Sequence, residues 1–134
     1  MIDAENQIFS IVAGTLRSEF PGIFVSGEFT DLPAKFPAVT IEESDNTIVQ
    51  RMRTTNIENA VNVMYEVNIY TNTVGNKKSE AKRIFKTVDT EFDKLGFERV
   101  SCNPISNLSD ATIYRIVARY QAAIDKDYWV YRTT

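Results

Sequence analysis

YEVNIYTNTVGNKKSEAKRIF, residues 65–85, changes its period partway through. Up to Thr71 the apolar side chains alternate, as in a strand; from Ala81 they return every three or four positions, as in a helix. Between them lies NTVGN, a short polar turn in which Gly75 is free to take a positive φ. A strand therefore passes directly into a helix, the join by which an α+β domain folds a helix back over its own sheet. The strand extends over 60–72. Val61, Val63, Tyr65, Val67 and Ile69 point to one side, and Asn62, Met64, Glu66, Asn68 and Tyr70 to the other. The helix extends from about Lys77 to Leu95 on a stripe of Ala81, Ile84, Phe85, Val88, Phe92 and Leu95. Gly96 follows where a left-handed C-terminal cap belongs.

Upstream, residues 3–19 read as a first helix. Its stripe is Ile8, Phe9, Ile11, Val12, Leu16 and Phe20, with Asp3 as N-cap and Pro21-Gly22 as the stop. IFVSGEF and TDLPAKFP give a short strand and then a loop, since Pro33 and Pro37 keep the segment out of a central ladder. AVTIEES and NTIVQRMRT read as two strands joined by a turn at Ser44-Asp45-Asn46. The second carries long polar side chains and is expected at an edge or in a protruding hairpin over 47–54. A further polar connection is expected over 56–59.

Downstream, FERVSCNPI reads as a strand broken at Asn103-Pro104. TIYRIVARYQAAI is a long final strand with Tyr114, Ile116, Ala118, Tyr120, Ala122 and Ile124 facing the core. The tail DKDYWVYRTT adds a short edge strand or touches a neighbour. The expected fold is one α+β domain over residues 1–134, a mostly antiparallel sheet with two main helices packed on one face. The other face then carries Met64, Glu66, Tyr70, Arg115, Val117 and Arg119, too mixed for a core and too aromatic for plain solvent.

The composition excludes several classes. The 134 residues are 43% hydrophobic and 25% charged, with a net charge of −3, a globular balance without the basic excess of a general nucleic-acid or membrane-surface binder. Local basic patches remain: Lys35 with Arg51 and Arg53, and Lys77, Lys78, Lys82, Arg83 and Lys86 on the second helix. With Glu80 and Glu91 interleaved, the ordinary reading of the helix set is a solvated face; contact with DNA or an acidic protein is the alternative. MIDAENQIFSIVAG has neither the basic start nor the unbroken apolar run of a signal peptide. No segment approaches the roughly 20 apolar residues of a membrane helix. Cys102 is the single cysteine, which fits a reducing compartment.

Chemistry is sparse. There is no histidine, which removes the commonest general base and the Ser-His and Cys-His dyads. Cys102 reads as a small half-buried strand residue rather than a nucleophile. GNKKS, residues 75–79, lacks the Gly-x4-Gly-Lys spacing of a phosphate loop. Glu42, Glu43 and Asp45 read as a solvated turn, without the ligand spacing of a calcium loop. No catalytic, cofactor-binding or metal-ligating residue is therefore assigned, and the chain is read as a non-enzyme. Glu66 with Arg115 or Arg119 is expected to form cross-strand pairs on the outer face. Tyr70, Tyr128, Trp129 and Tyr131 are the candidate contact anchors, with a core role for some of them the equal alternative.

The phrases FPAVTIEE (36–43), YEVNIYTN (65–72), GNKKSEAKRIFKTVDTEFDKLGFER (75–99) and TIYRIVARYQAAI (112–124), behind an amphipathic N-terminal helix, resemble the tail-terminator and tail-completion proteins of long-tailed bacteriophages and prophages. The resemblance spans nearly the whole chain and carries no catalytic motif. It implies a structural protein that assembles as a homo-oligomeric ring, commonly a hexamer. Such a ring caps the tail tube, ends its polymerisation and presents a surface to the head–tail connector. It also implies work in the host bacterial cytoplasm and then in the virion, no membrane, no cofactor, and nucleic acid only as DNA passing through the ring lumen. Met64, Glu66, Tyr70, Arg115, Arg119, Arg51, Arg53 and Trp129 are the expected interface residues, with the outer sheet face meeting the 47–54 hairpin or the tail of a neighbour. The alternatives are another neck adaptor or minor capsid protein, or a small non-viral ligand-binding or regulatory domain.

Overall fold

The strand-to-helix join at 65–85 forms as its two periods require. In a computed structural model that describes residues 1–49, 59–107 and 110–131, the elements in chain order are α1 (Glu5–Glu19), β1 (Phe24–Ser26), β2 (Ala38–Ile48), β3 (Ala60–Thr71), α2 (Lys77–Lys94), β4 (Glu98–Pro104), β5 (Tyr114–Asp125) and β6 (Val130–Tyr131). Gly75 takes φ 91° in the turn after β3. Thr71 ties that turn down, its hydroxyl donating to the Lys77 carbonyl at 2.7 Å.

The sheet order is β1-β2-β3-β5-β4, with β6 on the free end of β5; β1 pairs with β2 in parallel and every other pair is antiparallel. Both helices lie on one face. Ile8, Val12, Ala13 and Leu16 of α1 and Ala81, Ile84, Val88 and Phe92 of α2 close over Val39, Ile41, Val63, Tyr65, Val67, Ile69, Ala118, Tyr120 and Ala122. At the centre the Phe92 ring stacks on Tyr120 (4.4 Å, 5°) and meets Phe97 edge-on (5.3 Å, 83°), while Tyr65 stands edge-on to Phe97 (5.5 Å). The α+β expectation is met. Among the described residues no helix is long and apolar enough to cross a membrane.

Four local expectations are corrected. The turn at Ser44-Asp45-Asn46 does not form. β2 runs on through it to Ile48, and Ser44 is the extra residue of a bulge between Glu43 and Asp45. Continued pairing to β3 replaces the hairpin there, and residues 50–54 of the 47–54 segment, Arg51 and Arg53 among them, lie outside the described residues. Asn103-Pro104 does not break β4, which pairs with β5 as far as Pro104; a proline missing its N–H is tolerated on an edge strand.

Asp3 is not the N-cap. Ala4 is, and Asp3 instead accepts the Glu5 N–H at 3.1 Å. Ile11 is 47% exposed, because Ala13 takes the buried position on the far flank of the Val12–Leu16 stripe.

Candidate protein interface

The outward row of the central strands divides into a covered half and an open half. In register, Tyr70 lies opposite Arg115, Asn68 opposite Val117, Glu66 opposite Arg119 and Met64 opposite Gln121. At the Tyr70 end the chain covers itself. Tyr70, Ala38 and Ile113 form a second small core with Phe24 and Phe36. The 27–37 loop closes it, with the Tyr70 hydroxyl donating to the Thr30 carbonyl at 2.6 Å and the Asn107 amide to the Asp31 carbonyl at 2.9 Å. Arg115 lies over the Phe29 and Tyr70 rings at 5.2 and 5.7 Å, and its Nε and Nη2 both donate to Asn68 Oδ1 at 2.9 and 2.8 Å. Burial pushes the Tyr70 phenol up, an effect the Arg115 charge opposes. Tyr70 was expected as a contact anchor and Arg115 as a partner of Glu66. Tyr70 is fully buried and Arg115 is committed to Asn68, because a loop with no helical or strand period folds over them.

The open half holds Asn62, Met64, Glu66, Arg119 and Gln121. Arg119 Nη2 donates to Glu66 Oε1 at 2.8 Å, which settles the cross-strand pair in favour of Arg119. Glu42 stands opposite Glu66 on the other side, so this one guanidinium faces a like-charged strand pair. Beyond it Asp45, Asn62, Met64 and Gln121 line a shallow depression of about 330 Å³.

At the end of β5 the tail turns back as β6. Asp125 holds it: its Oδ1 accepts the Asp127 and Trp129 N–H groups at 2.9 and 3.0 Å. Tyr128 takes φ 65° in this turn. Tyr128, Trp129 and Tyr131 are left exposed together, Trp129 at 67%. The expected edge strand is present, and the tail aromatics are exposed where Tyr70 is buried.

Two further features lie at opposite edges of the sheet. Between α2 and β4, Phe85, Cys102, Pro104, Tyr114 and Ile116 floor a groove of about 450 Å³, with Lys78, Lys82 and Lys86 along its wall. Burial pushes the Cys102 thiol up, away from the thiolate that nucleophilic chemistry requires. At the other edge Glu43 sits beside Asp3 and Glu5, with one oxygen of each within 4.8 Å of the others. The Glu43 N–H donates to Glu5 Oε2 at 2.9 Å. The Glu43 carboxyl is pushed up mainly by burial and further by the Glu5 charge, while hydrogen bonds from Asn46 and Tyr65 oppose this.

Sequence reasoning singled out the lysines but not the apolar floor beneath them, because Cys102, Pro104 and Tyr114 come from two other strands. It placed Asp3 and Glu43 in unrelated elements, and only the α1–β2 packing brings them together.

A comparison with protein-family models and with curated proteins finds no match to this chain.

Proposed function

We propose that the chain is a structural protein of long-tailed phage assembly. It forms a ring on the tail tube, ends tube growth and offers the surface on which the head connector sits. The observation that carries this reading is where the resembling phrases fall. Residues 36–43 enter β2, 65–72 complete β3, 75–99 span α2 and open β4, and 112–124 are β5, so the likeness lies in the framework of the sheet rather than in its loops. The surface supports it further. A half-open sheet face, two unlike sheet edges and a cluster of exposed aromatics suit a chain with permanent neighbours. In this reading the protein works in the host bacterial cytoplasm during assembly and then stays at the head–tail junction, with DNA passing through the ring lumen.

Co-expression with a candidate tube protein, followed by imaging of the tubes, tests this. The expected result is tubes of uniform length, each closed at one end by a ring of this chain. Open tubes of irregular length, with no chain bound, overturn it. A small ligand-binding domain is the competing reading, favoured by the β4 groove, whose volume falls in the ~300–1,000 Å³ range of small-molecule sites. It predicts a monomer that leaves the tubes uncapped.

A further inference from the structure

The β4 groove is built for an anionic occupant. Lys78, Lys82 and Lys86 recur at every fourth position and so stand on one face of α2, where like charges repel. Lys78 also lies in the first turn, against the positive end of the helix dipole. The nearby acids of α2 are engaged elsewhere: Glu80 accepts the Thr73 hydroxyl at 3.2 Å, Asp89 pairs with Arg99 at 3.3 Å and Glu91 with Lys94 at 3.6 Å. Among the described residues no carboxylate lines the groove. Its floor is apolar, and Val100 and Ile105 extend that character along the edge at 48% and 40% exposure. β4 has no strand partner on its outer side among the described residues.

The opposite edge of the same sheet is its complement. β1 pairs only with Ala38–Thr40, so from Ile41 onward β2 has no outer strand partner among the described residues. That stretch carries Glu42, Glu43 and Asp45, with Asp3 and Glu5 beside it. Among the described residues no cation pairs with any of these five carboxylates.

We infer that the lysine-walled groove beside β4 of one copy receives the acidic β2 edge of a second copy, so that copies join head to tail. Apolar area on the groove floor would supply attraction, and the two charge sets would fix register and exclude the reverse pairing. Two different patches meet, so the contact is heterologous and repeats around a ring or along a fibre. The inference rests on the ring reading above and names the surfaces that build the ring.

Light scattering on the full chain across a concentration series tests it with two double variants, Lys82→Glu with Lys86→Glu and Glu42→Lys with Asp45→Lys. Lys82, Lys86 and Asp45 are exposed and Glu42 is half-buried, and circular dichroism with thermal melting checks that each variant folds. The wild type is expected to assemble, less so as salt rises. Each variant alone should fall to the monomer mass. An equimolar mixture of the two should regain assembly, because a reversed groove then meets a reversed edge. The inference is overturned by a wild type that stays monomeric to its solubility limit, by a folded groove variant that still assembles, or by a mixture that stays monomeric. A wild type that caps tubes while the groove variant also assembles removes this interface and leaves the ring reading standing. Charge-swapped assembly by a chain that caps no tubes does the reverse.

Discussion

Glu43 shows at one residue how the fold and its charges conflict. Its carboxyl is half-buried beside Glu5 and Asp3, so its folded-state titration lies above the ordinary carboxylate value. The sign follows from linkage. A carboxylate whose pKa is raised on folding costs stability when ionised. That cost is fully present above the raised value and disappears below the unfolded one. Glu43→Gln, which can still accept from the Tyr65 hydroxyl, should therefore raise the urea midpoint at neutral pH. Its advantage over the wild type should shrink as pH falls through the carboxylate range; a difference constant with pH would refute this. In contrast, Phe92 is a residue on which the whole core depends, in ring contact with Tyr120, Phe97 and Tyr65. Phe92→Ala should cost about 3–5 kcal/mol, read as a lower urea midpoint at unchanged slope. Its place on the helix stripe was legible in the sequence. The stacking on Tyr120 was not, because it depends on how α2 crosses β5.

Among the elements, α2 is the most fully specified by its own sequence, and its end is the clearest case. The Phe97 N–H donates to the Phe92 carbonyl and the Gly96 N–H to the Asp93 carbonyl, both at 3.0 Å, with Gly96 at φ 90°. This is the Schellman arrangement, completed by the contact of the Phe97 and Phe92 rings. A Cβ at Gly96 would stand 3.4 Å from Val130 Cγ1. Gly96→Ala should thus cost about 1–2 kcal/mol from the backbone alone and loosen β6 as well. Thermal melting measures the first, and faster amide exchange at Val130–Tyr131 the second. β2 was the element least legible in sequence. Ser44-Asp45-Asn46 has turn chemistry, and locally a turn is its preferred state. Pairing with β3 overrides that preference and absorbs the surplus residue as a bulge, a tertiary effect that no window of β2 contains.

At the scale of the molecule, two helices on one face leave the sheet with an unlayered half and two edges of opposite charge. The Arg119–Glu66 pair lies on that open half, its side chains 40% and 23% exposed. Within one chain such a pair contributes about 0.2–1 kcal/mol. Arg119→Gln, which removes the pair without setting a third carboxylate beside Glu66 and Glu42, should therefore shift the monomer's melting temperature only slightly. If the open face is also buried between copies, it should lower the assembled mass seen by light scattering, and an unchanged mass removes that face from the assembly.

The alternation of β3, the stripe of α2 and the left-handed cap at Gly96 were determined by the sequence alone, because each is set by side-chain period and local backbone freedom. Only the tertiary structure decided that a loop would bury Tyr70, that three carboxylates would meet at Asp3, Glu5 and Glu43, and that three lysines would wall an apolar groove. Each of these joins residues from separate elements. Their proximity follows from the order in which strands pair, which short-range periodicity does not encode.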